Sequence, residues 1–150
     1  MISENKTIRQ IKEHIERIAE YKNPYLILRA FRSLPDPPGP HNSDLEVKVL
    51  TIGRAPLIKA LADKKYAPAA TLILEYAQKV RLTSEVISCI EALGILEYKD
   101  ARNFIEQKRN HYESWYNRYK YHRAAKGVDI ILQGISKSNK ALERLSGVRE

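Results

Sequence analysis

Between His111 and Arg123 the chain reads HYESWYNRYKYHR, which sets four of its nine tyrosines and its single tryptophan among arginine, lysine and histidine. Rings beside cations offer two kinds of chemistry. They stack on bases next to a phosphate backbone, or they anchor a protein interface. A helix turns ~100° per residue, so Ala101, Ile105, Tyr112, Trp115, Tyr116 and Tyr119 share one face. That face is expected to pack, as core or interface, with the polar ring tips pointing outward. The opposite face carries Arg109, Asn110, Glu113, Ser114, Asn117, Arg118, Lys120 and Tyr121. It reads either as a solvated surface or as a grip on phosphates, with Tyr121 stacking on a base. Lys108, Arg123 and Lys126 fall on the ring side, where only their stems can be buried. This predicts a seam open in part to a protein partner.

Charge favours the same region. Residues 99–150 hold 12 basic against 6 acidic residues, so +6 of the net +8 lies in the last third. Such asymmetry attracts nucleic acid or acidic partners.

Other chemistries lack their residues. His14, His41, His111 and His122 have no Cys or carboxylate at ligand spacing, so no metal site is expected. No Gly-rich phosphate loop and no G-x-S-x-G elbow is present. Glu13, Glu16 and Glu20 lie beside basic residues in a solvated helical pattern, not as a general acid pair. No catalytic residue and no cofactor is assigned, and the expectation is a chain that is not an enzyme. Cys89, between apolar neighbours in EVISCIEAL, reads as a buried inert thiol of a cytoplasmic protein. No apolar run approaches the ~18 residues of a membrane span, and no basic-then-apolar leader is seen.

The elements that position these residues read as helices throughout. Ile8, Ile11, Ile15 and Ile18 recur at 3-4-3 spacing, a narrow apolar stripe suited to one neighbouring helix in this chain or in a second copy. Asn23-Pro24 ends that helix and starts the next, YLILRAFRSL, expected to be buried nearly all round. PDPPGPHNSD, residues 35–44, holds four of seven prolines. Its P-x-x-P spacings suit a polyproline ligand, but without flanking arginine marks it reads as a rigid connector. It separates an N-terminal helical pair, 3–34, from a main array, 43–147. Ser43 with Glu46 makes a capping box. Helices are then expected over Leu45–Ile52, Pro56–Lys64, Pro68–Val80 and, capped by Thr83 or Ser84, up to Leu96. Asp100 is expected to cap a long penultimate helix. Val128, Ile131, Leu132, Ile135, Leu142 and Leu145 form the face of the last, with Gly127 interrupting or joining the two. No alternating strand pattern is seen, so the prediction is one all-α domain of about seven to eight helices.

EALGILEYKDARNFIEQ, Glu91 to Gln107, resembles a repeat of the HEAT/armadillo α-solenoid class, through Ala92, Leu93, Gly94, Asp100, Ala101 and Phe104. VLTIGRAPLIKAL precedes it as an echo, with Pro56-Leu57-Ile58 set against Asn103-Phe104-Ile105 at an offset of 47 residues. The resemblance covers roughly residues 45–109. It implies a scaffold that holds partners on a concave face, and some such proteins hold nucleic acid. The combined expectation is a non-enzymatic binding or adaptor module, a subunit of a larger assembly. The alternative is a small basic nucleic-acid-binding protein using the 108–126 region.

Overall fold

The computed structural model describes residues 4–34, 54–80, 82–122 and 127–147, except the side chains of residues 4–8 and 11. It holds seven α-helices and, among the described residues, no strand: α1 Glu4–Ala19, α2 Pro24–Ser33, α3 Arg54–Asp63, α4 Ala70–Lys79, α5 Thr83–Ile95, α6 Arg102–Tyr119 and α7 Val128–Leu145. The expected all-α class is what the chain adopts. The expected connector 35–44, the capping box at Ser43 and the helix Leu45–Ile52 lie outside the described residues.

Local sequence explains most ends. The Asn23 side chain accepts the Tyr25 N–H at 3.0 Å, and Pro24 takes the first helical position, where a missing N–H costs nothing. Two expected caps differ. Thr83 is the first residue of α5, not its cap, and Asp100 lies in a short 3-10 turn, Lys99–Ala101, without capping α6. That turn already satisfies its N–H groups by backbone bonds. α2 is also less enclosed than its composition suggests: Ile27, Leu28 and Phe31 are buried, while Tyr25 and Leu26 are exposed.

The helices form two rows. α1, α3, α5 and α7 pack each against the next in one row, and α2, α4 and α6 pack on α3, α5 and α7 respectively. α1 and α2 thus lie on α3, across the proline-rich stretch. Ile15 is buried and Ile18 is half-buried against the core, so this part of the isoleucine stripe packs within the chain. α5 is the centre. Val86, Ile87, Cys89, Ile90, Ala92, Leu93 and Gly94 bury it on nearly every side.

The two joints α3–α4 and α5–α6 are built alike. Tyr66 N–H bonds Leu61 O at 3.0 Å and Lys65 N–H bonds Ala62 O at 2.9 Å; Tyr98 N–H bonds Leu93 O and Glu97 N–H bonds Gly94 O, both at 3.1 Å. This is the Schellman ending of a helix. Leu61/Leu93, Tyr66/Tyr98, Ala69/Ala101 and Ile73/Ile105 correspond at a spacing of 32 residues. The 47-residue offset, by contrast, sets Leu57 of α3 against Phe104 of α6, helices of different rows. The spacing of 32 is shorter than the ~40–47 residues of HEAT and armadillo units.

Lys65 has φ 55° and Glu97 φ 54°, the left-handed region that strains a side chain with a Cβ. Lys65 is exposed, so Lys65→Gly is expected to raise stability by about 1 kcal/mol. A urea midpoint at or below wild type would count against this.

The α5–α7 seam uses small residues. A Cβ on Gly94 would meet Ala141 Cβ at 2.7 Å and Cα at 2.8 Å; one on Gly134 would meet the Tyr112 ring at 2.8 Å. Ser138, between Gly134 and Ala141 in sequence, is fully buried, and its hydroxyl lacks a hydrogen-bond partner among the described residues. Ile131, Leu142 and Leu145 are buried as expected, but Leu132 is 42% exposed.

Candidate functional site

α6 carries the ring face and the basic face. Its N-terminal half is locked down by Ala101 and Ile105, both fully buried, and by Tyr112, whose ring meets Gly134 of α7. Beyond Tyr112 no described residue of α6 is buried. Trp115, Tyr116 and Tyr119 are half-buried, with Trp115 and Tyr116 packed on the core edge. The ring face therefore splits, core up to Tyr112 and a partly open aromatic edge after it. Burial pushes the Tyr112 phenol above its ordinary range, because the charged form loses water.

The end of α6 gathers several of the predicted residues. Trp115 and Tyr119 have ring centroids 5.0 Å apart, and Tyr119 and His122 6.4 Å. The Lys120 ammonium lies 5.7 Å from the Tyr116 ring and 5.3 Å from the Tyr121 ring, inside cation–π range. Arg118 is exposed, and Tyr121 is 89% exposed. Arg109 departs from expectation. It is half-buried, and its Nε is enclosed without a hydrogen-bond partner among the described residues. It is therefore not as open as the exposed Arg118 and Lys120. Arg123 and Lys126 lie outside the described residues.

The sequence reading missed a second feature, a trough across the α1–α3–α5 row. Its volume is 470 Å3, and Glu16, Ala55, Pro56, Lys59, Ala62, Asp63, Ser88, Glu91, Ala92 and Ile95 line it. A neighbouring hollow of 450 Å3 shares Pro56, Lys59 and Asp63 and extends to Ala19 and Lys64. The floor is made of small side chains, so another backbone can come close; the rim is charged. Glu91 on that rim is held by Lys137 Nζ at 2.9 Å. The one available signal was the alanine spacing of RAPLIKALAD, which reads as plain helix propensity.

A buried polar cluster was missed too. The Arg54 guanidinium lies 4.7 Å from the centre of the Tyr76 ring, and Phe31 meets that ring edge-on at 5.7 Å. Glu85, in the first turn of α5 and 8% exposed, completes it. Burial pushes the Glu85 carboxyl up to about 7, opposed by the Tyr76 hydroxyl and then by Arg54. Burial also raises Tyr76 and the Cys89 thiol one turn on, which makes Cys89 unreactive at neutral pH. This arrangement can take up a proton near neutrality; it sits between α3, α4 and α5, and its Phe31, Arg54 and Tyr76 line a hollow of 210 Å3.

Among the described residues, no three His, Cys, Asp or Glu side chains are grouped to hold a metal ion, and no helix is long and apolar enough to cross a membrane. Comparisons with family models, curated proteins and solved structures return no match.

Proposed function

We propose that this chain is a non-enzymatic helical adaptor, a cytoplasmic subunit of a larger assembly, in the general manner of α-solenoid scaffolds. The trough along the α1–α3–α5 row carries this reading. Its floor of Ala55, Pro56, Ala62, Ser88 and Ala92 suits an amphipathic helix of a protein partner laid into a groove. Glu16 and Asp63 on the rim favour a helix flanked by lysine or arginine, and Lys59 favours one acid among them, while Glu91 is already paired with Lys137. The two similarly built joints, α3–α4 and α5–α6, support the same reading, since repeated units that stack build extended binding surfaces.

Ser88→Arg tests it. Ser88 is half-buried on α5, within the trough, and an arginine there fills the floor. The chain is purified with its companions from the cells that naturally produce it, and their masses are compared between wild type and variant. The expected result is a stoichiometric protein companion that is lost in Ser88→Arg and kept in Lys140→Glu, on the exposed side of α7. A companion retained by both variants, or none with wild type, would overturn the reading.

A further inference from the structure

We propose that the end of α6, from Ser114 to His122, is a binding site for single-stranded nucleic acid, separate from the trough. The site lies in the other row of helices, so the inference does not rest on the adaptor reading.

Three observations carry it. The first is a large exposed ring that packs on nothing apolar. Tyr121 is 89% exposed, and its described neighbour is the Lys120 ammonium at 5.3 Å. A ring in a stable fold is ordinarily buried for its area; held in the open beside a cation, it offers a stacking face with a positive charge at its edge. The second is a chain of rings in the same segment, Trp115 to Tyr119 at 5.0 Å and Tyr119 to His122 at 6.4 Å. Trp115 and Tyr119 are half-buried and His122 is exposed, so the segment presents aromatic surface besides Tyr121. The third is charge. Every exposed residue of α6 and of the turn up to His122 is neutral or basic. The two acids of α6, Glu106 and Glu113, are half-buried, and Glu106 lies 4.0 Å from Arg102.

The ligand follows from that combination. Arg118 and Lys120 supply cations for phosphate oxygens, Ser114 and Asn117 supply hydrogen-bonding groups at the spacing of one helical turn, and Tyr121 supplies a π face. A polyanion without rings uses only the first of these. An anionic membrane surface calls for leucine, phenylalanine or tryptophan to insert, and none of the exposed residues from Ser114 to His122 is of these types. A paired duplex hides its base faces, while a single strand offers them. The site therefore reads phosphates by charge and bases by stacking, without fixed sequence.

The test uses the full chain and fluorescence anisotropy with a labelled single strand of ~20 nucleotides, the same sequence as duplex, and polyglutamate, each at two salt concentrations. Wild type is expected to bind the single strand, more weakly as salt rises. Tyr121→Ala is expected to weaken single-strand binding ~5–100-fold and to leave the duplex unaffected, with unchanged melting because the residue is exposed. Arg118→Ala and Lys120→Ala are each expected to lower the salt slope by about one unit. Ser88→Arg is expected to bind as wild type, which keeps this result distinct from the fate of the adaptor reading. No binding of the single strand at low salt overturns the proposal. So does equal binding of polyglutamate with Tyr121→Ala harmless, which would make the patch a simple charge attractor.

Discussion

Gly94→Ala is expected to destabilise the fold by ~3 kcal/mol or more, read as a shifted urea midpoint. The sign is informative, because two effects oppose each other. Inside a solvated helix, glycine to alanine gains ~1 kcal/mol of helix propensity. Here the new methyl meets Ala141 Cβ at 2.7 Å and Ala141 Cα at 2.8 Å. A side chain can rotate away, but a Cα moves only with its helix, so α5 and α7 must separate. The Leu93 and Leu145 contacts, both fully buried, then loosen with them. Ala141→Gly in the same chain removes one of the two obstacles and is expected to recover part of the loss. A variant as stable as wild type would mean that the seam is not as close as described.

The second large effect is on pH dependence. In the folded chain the Glu85 carboxyl is pushed up to about 7 from 4.5. Between those values the folded state binds a proton that the unfolded state has released, so stability falls as pH rises. The contribution is fully favourable below pH ~4.5, is lost progressively, and is gone above pH ~7, amounting to on the order of 3 kcal/mol. Glu85→Gln carries no such proton. It is expected to match wild type near pH 4 and to exceed it at pH 8, with the slope between them removed. Loss of the charge opposite Arg54 works against this gain, but Arg54 is the least of the three influences on Glu85 and also lies over the Tyr76 ring. Melting curves of both proteins from pH 4 to 8 decide it. Parallel profiles would show that Glu85 titrates normally.

Both effects arise where the sequence was hardest to read. Helices were legible wherever apolar residues recur every three or four positions, as Val128, Ile131 and Ile135 do, or where a strong cap stands, as at Asn23-Pro24. The seam was not, because Gly94, Gly134, Ser138 and Ala141 contribute closeness rather than hydrophobicity. The joints were half legible. Tyr66 and Tyr98 match, but the strained positions are a lysine and a glutamate instead of the glycine that marks such turns. Arg54 and Glu85 are charged residues on helices, which pattern alone assigns to solvent, and only the packing of α3 and α4 on α5 encloses them. At the candidate site, the exposure of Arg118 followed from helical rotation, while Lys120 and Tyr121 stand past the end of α6 at Tyr119. The enclosure of Arg109 did not follow, since the rotation of one helix carries no information on what packs around it.

The two-row packing also bears on how the chain folds. Helices touch their neighbours, or the next but one, so contacts close short stretches of chain, and such low contact order goes with fast folding. α5 meets α3, α4 and α7, so nucleation is expected to centre there, with α1 and α2 joining last. In the native state the same gradient sets the order of opening. The outer helices should fray at low free energy while amides of α5 exchange only on global unfolding. The trough, bordered by α1, would then widen and narrow as α1 lifts and returns, while the helices beneath it keep their packing.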